Sequence, residues 1–261
     1  MNKKKIITIA LISVFSVCAI FTGMMAYWQW NDQQQSKNDF NALAELIAEE
    51  TPAPEHTATP TDESEAEPDE RELAYAKYKA LYEQNDDFVG WISIDGTAID
   101  YPVMQSIGST DFYLKHNFEK AYSDYGVPYV DEACAVGLSA NTVIYGHHMK
   151  NGSMFSSLVK YADKSYFEEH PIIRFDTIYG FGEYQVIAAF SFDTNNENFR
   201  YNEYTDMTET EYDEFIKNCM ARSAYDTGFT AEYGDMLITL STCEYTHQNG
   251  RFVVVAKMIT E

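Results

Sequence analysis

Positive charge is scarce in this chain. There are 18 Lys and Arg against 41 Asp and Glu, a net charge of −23. Phosphate backbones are held by basic footprints, so this balance argues against nucleic acid as a partner. The shortage is not confined to one tail: residues 73–261 carry 28 acidic and 13 basic residues, which reads as a solvated acidic surface. Cysteine is sparse too. Cys18, Cys134, Cys219 and Cys243 are too few for a disulfide scaffold in 261 residues. A Cys134–Cys219 bridge stays open, because spacing alone does not decide it. No Cys/His cluster has metal-ligand spacing, so zinc is unsupported and no cofactor is expected. No internal repeat is evident.

What is present begins at the N-terminus. Lys3, Lys4 and Lys5 precede an uncharged, mostly apolar run from Ile6 to Tyr27. As a helix those 22 residues span roughly 33 Å, enough for the hydrocarbon core of a bilayer. Tyr27, Trp28 and Trp30 stand where an interfacial aromatic belt would lie. Lysines before the span and none just after it put the N-terminus in the cytoplasm and the rest of the chain outside. A cleaved signal peptide is the alternative; the run is long for one, and no clear small-x-small site follows it. Residues 1–30 are therefore expected to be a cytoplasmic stub and membrane anchor. Residues 31–72 are expected to be an acidic, proline-containing, disordered tether, with Asn38–Glu50 a possible short helix and Thr51–Glu70 offering almost nothing to bury.

Residues 73–261 form the expected folded domain. Leu73, Tyr75, Ala76, Tyr78, Leu81 and Tyr82 fit an amphipathic helix ending before Asn85. Strand-like runs follow at Val89–Ile94, Ala98–Val103, Gly126–Val130, Thr142–Tyr145, Ile172–Phe175, Tyr184–Phe192, Met236–Leu240 and Arg251–Lys257. Short helices are expected from Ser153, as cap, to Tyr161 and from Asp163 to Glu169. Thr208-Glu209-Thr210-Glu211 is a capping-box sequence opening a helix to about Arg222. Many short strands with few, peripheral helices point to one mainly β domain, a closed barrel or sandwich.

Two stretches carry chemistry. The apolar strand-like run Met236–Leu240 leads into Ser241-Thr242-Cys243-Glu244 and so delivers a cysteine at its end. Asn249-Gly250 is a strong hairpin signal, and Arg251 opens the next strand. If the two strands pair, thiol and guanidinium lie side by side, and positive charge favours the thiolate. Taken alone, such a pair is more often a core cysteine beside a surface arginine. Upstream, Thr142-Val143-Ile144-Tyr145-Gly146-His147-His148-Met149 ends another strand in glycine and then histidine. A cysteine with a sequence-distant histidine is the constellation for nucleophilic acyl transfer. Adjacent residues of an extended segment point to opposite sides, so His147 and His148 cannot both face Cys243. His116, His170 and His247 lack such a context and read as surface or satisfied histidines.

TLSTC, the following Arg251 and YGHHM resemble the sortases, class B in particular, as do Phe88-Val89-Gly90-Trp91-Ile92 and Ile99-Asp100-Tyr101-Pro102-Val103-Met104-Gln105. The likeness covers about Leu73 to Glu261. It implies a closed sortase-like β-barrel with an added N-terminal helix and a helix before the cysteine strand. It implies Cys243 as nucleophile, His147 as the acid–base group and Arg251 as the oxyanion or carbonyl ligand. It implies partners: surface proteins bearing a C-terminal sorting signal, cleaved after Thr to a thioester, and a peptidoglycan cross-bridge or lipid-linked precursor amine that resolves it. Ser241, Glu244, Leu114 and Tyr201 match positions near the substrate groove; ordinary packing is the competing reading for Leu114 and Tyr201. A secreted cysteine peptidase that only hydrolyses, and a non-catalytic anchored interaction domain, are the readings from other classes.

Overall fold

The computed structural model describes residues 3–50, 69–195, 199–244 and 250–260. Helix α1 (Lys3–Glu50) is followed by α2 (Glu70–Gln84), β1 (Phe88–Ser93), β2 (Asp100–Met104), β3 (Tyr129–Val130) and β4 (Asn141–Tyr145). Then come α3 (Lys164–Glu169), β5 (Ile172–Thr177), β6 (Glu183–Asp193), α4 (Glu209–Arg222), β7 (Leu237–Glu244) and β8 (Gly250–Met258). The strands close into a barrel in the order β1-β2-β3-β4-β7-β8-β6-β5, with β1 also paired to β5. The expected mainly β barrel with peripheral helices is therefore the observed fold.

Strand direction decides where the barrel becomes useful. β4 and β7 run parallel, in register from Asn141↔Leu237 to Tyr145↔Ser241. Their C-terminal ends, one leading into Gly146-His147 and the other carrying Cys243, therefore leave the sheet at the same rim. β8 pairs antiparallel with β7, so its first residues start from that rim, with Cys243 directly opposite Arg251. The strands are near-continuous apolar runs because the barrel interior and its helical cover both demand it: Val143, Ile144, Ile238, Leu240 and Val253–Val255 are all buried. α4 is opened by the expected capping box, Thr208 and Glu211 each accepting from the other's backbone.

Several expectations are corrected. Ser153 does not cap a helix. A 3-10 turn over Phe155–Ala162 follows Met154, which sits at φ 55°, while the Ser153 hydroxyl donates to Asn151 Oδ1. The turn begins where it does because Phe155 N–H donates to His147 O at 2.9 Å. α2 buries Ala74, Tyr78 and Leu81, leaving Leu73 and Tyr75 exposed. Cys134 and Cys219 are both free and buried, so no bridge joins them. β7 runs through the cysteine rather than stopping before it.

The segment after the apolar run also differs from the expected loose tether. α1 continues unbroken to Glu50, and the first turn of α2 takes up Glu70–Glu72. Ser36, Phe40 and Leu43 are buried against the barrel, spaced as one helical stripe. The Phe40 ring meets Tyr101 edge-on at 5.1 Å between centroids. The side chains of Leu11 to Trp30, by contrast, are exposed. Thr51–Pro68, the core of the expected disordered stretch, lies outside the described residues, as do Asn249 of the hairpin signal and His247.

Candidate active site

The rim is assembled from strand ends. Thr242 Oγ1 donates to Gly146 O at 2.8 Å, and Gly146 N–H donates to Ser241 O at 3.1 Å. These bonds extend the β4–β7 pairing past Tyr145 and hold the histidine segment beside the cysteine. Gly146 is required there because the Phe155 ring is packed against it: a Cβ would come within 2.5 Å of Phe155 Cγ. The two histidines diverge as strand alternation requires. His148 Nδ1 is 2.9 Å from Cys243 O, and His147 Nε2 is 2.7 Å from Leu114 O. A carbonyl only accepts, so His147 carries a hydrogen on Nε2, leaving Nδ1 as the nitrogen that can take or give a proton.

Cys243, His147 and Arg251 line one cavity of about 500 Å³. Leu114, Tyr201 and Ser241 line it as well. Tyr201 OH and Ser241 Oγ are hydrogen-bonded at 2.7 Å and nearly sealed, at 3% and 1% exposure. The backbone of Glu244 ends β7 opposite Gly250; its side chain lies outside what is described. Burial holds the His147 imidazole below its usual pKa; Lys115 pushes the same way, while the Leu114 carbonyl and Asp124 oppose. Cys243 itself is half-exposed.

Sequence reasoning missed two tyrosine–carboxylate pairs that line the same cavity. Tyr129 OH donates to Asp111 Oδ1 at 2.6 Å and Tyr145 OH to Asp131 Oδ2 at 2.7 Å, the two rings 5.4 Å apart. Burial, reinforced by those carboxylates, drives both phenols far up. Arg200 and Asn202 also line the cavity. Tyr145 ends a recognised strand two residues before His147, and that position was the available signal. Of the other described histidines, His116 stacks on Phe112 at 3.9 Å between ring centroids and His170 Nδ1 lies 2.8 Å from Asp95 O. Among the described residues no group of three His, Cys, Asp or Glu has the arrangement of a metal site.

A family model for the Sortase domain matches residues 92–259. The chain belongs to the sortase family, class B. It is 35% identical to sortase B of Staphylococcus aureus over 187 residues, 70% of this chain and 75% of that one. It is also 35% identical to sortase B of Listeria monocytogenes over 184 residues, 69% and 73% of the two chains. Among solved structures it is similar to a Staphylococcus aureus sortase B–substrate complex (TM-score 0.72, 29% identity, 88% of this chain and 98% of that chain). It is similar to Bacillus anthracis sortase B in complex with AAEK1 as well (TM-score 0.70, 29% identity, 89% and 100%). This sortase is accordingly a cysteine transpeptidase.

Proposed function

We propose that this sortase joins surface proteins bearing a C-terminal sorting signal to a cell-wall amine. The observation that carries the reading is the β7–β8 register, Cys243 opposite Arg251, in one cavity with His147. A neutral imidazole, favoured by burial, is ready to accept the Cys243 proton as sulfur attacks the carbonyl carbon of the threonine. Arg251 ligates the developing oxyanion, with the backbone N–H of Glu244 as a second candidate donor. Collapse breaks the C–N bond, and His147 passes its proton to the departing amine, leaving a thioester on Cys243. A peptidoglycan cross-bridge or lipid-linked precursor amine then attacks the thioester and gives a proton to His147; sulfur leaves as thiolate and takes that proton back, restoring the starting state. One amide is broken and one formed, so no further reactant is needed; water in place of the amine gives slow hydrolysis. Leu114, Tyr201, Ser241 and Glu244 are the groove residues of this reading. The Staphylococcus aureus relative was solved as a sortase B–substrate complex, which supports substrate binding by this fold.

The apolar part of α1 is long enough to cross a bilayer. In this reading it is a single-pass anchor, N-terminus inside and barrel outside. The reaction is tested with labelled sorting peptides, with and without an added amine. An amine-dependent product with a new peptide bond supports transfer; cleavage indifferent to amine would reduce the protein to a peptidase.

A further inference from the structure

Helix α1 is hydrogen-bonded to the loop that follows Leu114. Asp32, two residues beyond Trp30, is half-buried against the loop between the 3-10 turn at Phe112–Leu114 and β3. Its Oδ1 accepts from Ser123 Oγ at 3.0 Å and its Oδ2 from the Asp124 N–H at 3.1 Å. Both donors sit at the base of a closed loop, residues 115–124. Ser123 N–H donates to Lys115 O at 2.9 Å, and Lys115 Nζ pairs with Asp124 Oδ1 at 2.9 Å. Tyr122 OH holds the same carboxylate oxygen at 2.9 Å. Gly126, at φ +58°, lets the chain return so close that a Cβ would meet the carbonyls of Tyr113 and Leu114. The residue that enters this loop is Leu114, whose carbonyl receives His147 Nε2. From the helix to the imidazole there are thus three kinds of link: the Asp32 bonds, the Ser123–Lys115 bond, and the Leu114 carbonyl next in the chain.

We propose that Asp32 is a positioning residue, through which the membrane-anchor helix sets the tautomer and orientation of His147 by clamping the 115–124 loop that presents Leu114 O. The anchor is then part of the catalytic apparatus as well as a leash. The proposal rests on reading His147 as the acid–base group. A misplaced base weakens catalysis steeply with small displacement, while the groove residues Tyr201 and Ser241 are bonded to each other outside the clamped loop, so affinity should fall less than turnover. Lys115 and Asp124 act on His147 from the loop side, and Arg251 lines the same cavity.

The test uses the full chain in phospholipid nanodiscs, with the wild type, Asp32→Ala, Ser123→Ala and the double variant. Two readouts are taken: turnover and KM for amine-dependent transfer, and the ¹⁵N spectrum of His147 labelled at histidine, assigned with His147→Gln. In the wild type the neutral imidazole should be one tautomer, protonated on Nε2. Asp32→Ala should give a mixture of tautomers and about a tenfold loss in turnover, with KM changed less than about twofold. Ser123→Ala should move both readouts in the same direction, and the double variant should fall no further than Asp32→Ala, because the two residues act on one link. Wild-type turnover with an unchanged tautomer in Asp32→Ala overturns the proposal. Lost turnover with an unchanged tautomer overturns it equally, since that leaves Asp32 a purely structural role. If the wild type transfers nothing, the proposed reaction fails, while the His147 spectrum still decides the role of Asp32.

Discussion

Strand β4 has a cysteine near each of its ends, and the two have opposite surroundings. Near its beginning Cys134 is buried, with Sγ receiving the Val143 N–H at 3.4 Å and lying 3.6 Å from Asn141 O. Burial pushes its thiol up to about 12. Past the other end, on the neighbouring parallel strand, Cys243 is half-exposed in a cavity shared with a guanidinium and an imidazole. The residue type is the same; reactivity follows from which side of the barrel rim the sulfur occupies. A thiol at about 12 is thiolate in roughly one molecule in 10⁵ at pH 7, inert toward any carbonyl. Cys219, on α4, is buried still more completely and is driven up by the same cause.

The contrast breaks most sharply by exchanging the fates of the two cysteines. Cys243→Ala should abolish cleavage and transfer while unfolding near the wild-type temperature. Cys134→Ala should keep turnover near wild type and lower stability by about 1–2 kcal/mol, as loss of a small, well-packed side chain does. A brief exposure to a thiol reagent at pH 7 should mark Cys243 and spare Cys134; a rate assay and thermal unfolding read the first two results, and protein mass with peptide mapping reads the third.

Next in size is the histidine pair. His147→Ala should lower turnover about 10²–10⁴-fold, the range for a lost acid–base group. His148→Ala, which loses a contact to the Cys243 carbonyl, should lose far less. The opposite ranking in a rate assay would move the role to His148.

Arg251 sharpens the comparison further, since it is what the Cys134 site lacks. Its planar fork can ligate an oxyanion in a way that lysine, a compact point charge, cannot reproduce. Arg251→Ala should cost about 10²–10³ in turnover, and Arg251→Lys should lie nearer to it than to wild type. The loss should fall on turnover with little change in unfolding temperature; near-wild-type turnover in Arg251→Ala would remove the assigned role.

Much of this arrangement was readable before any coordinates. All eight strand-like runs became strands, because β-branched and apolar runs bounded by Gly, Asp and Pro admit little else in a closed barrel. The pairing of Cys243 with Arg251 followed from a hairpin signal between two such runs. What escaped notice depends on contacts distant in sequence. The turn after Met154 is set by Phe155 meeting His147 O and filling the space beside Gly146. The docking of α1 was hidden by its polarity, although Phe40, Leu43 and Ile47 do repeat at helical spacing. The Tyr129–Asp111 and Tyr145–Asp131 pairs could not be read, since each joins residues 14 to 18 positions apart, and the β3–β4 pairing is what sets the two tyrosines opposite each other.

The smallest expected effect is on pH-dependent stability. An unfolded imidazole titrates near about 6.5, and burial holds that of His147 lower. Between those two values the unfolded chain binds more protons, so stability rises with pH there and is lost as pH falls through the folded value. His147→Gln should flatten that part of the stability curve, measured by denaturant unfolding from pH 7 downward. An unchanged slope would mean that His147 protonates freely in the folded protein.

The account rests most heavily on Cys243 carrying the acyl group. Intact-mass spectrometry after brief mixing with a sorting-signal peptide tests this directly. The account predicts a thioester adduct that maps to Cys243, disappears on adding the acceptor amine as the transfer product forms, and never appears in Cys243→Ala. Peptide turnover with no adduct on Cys243, or turnover that survives its replacement, would contradict it.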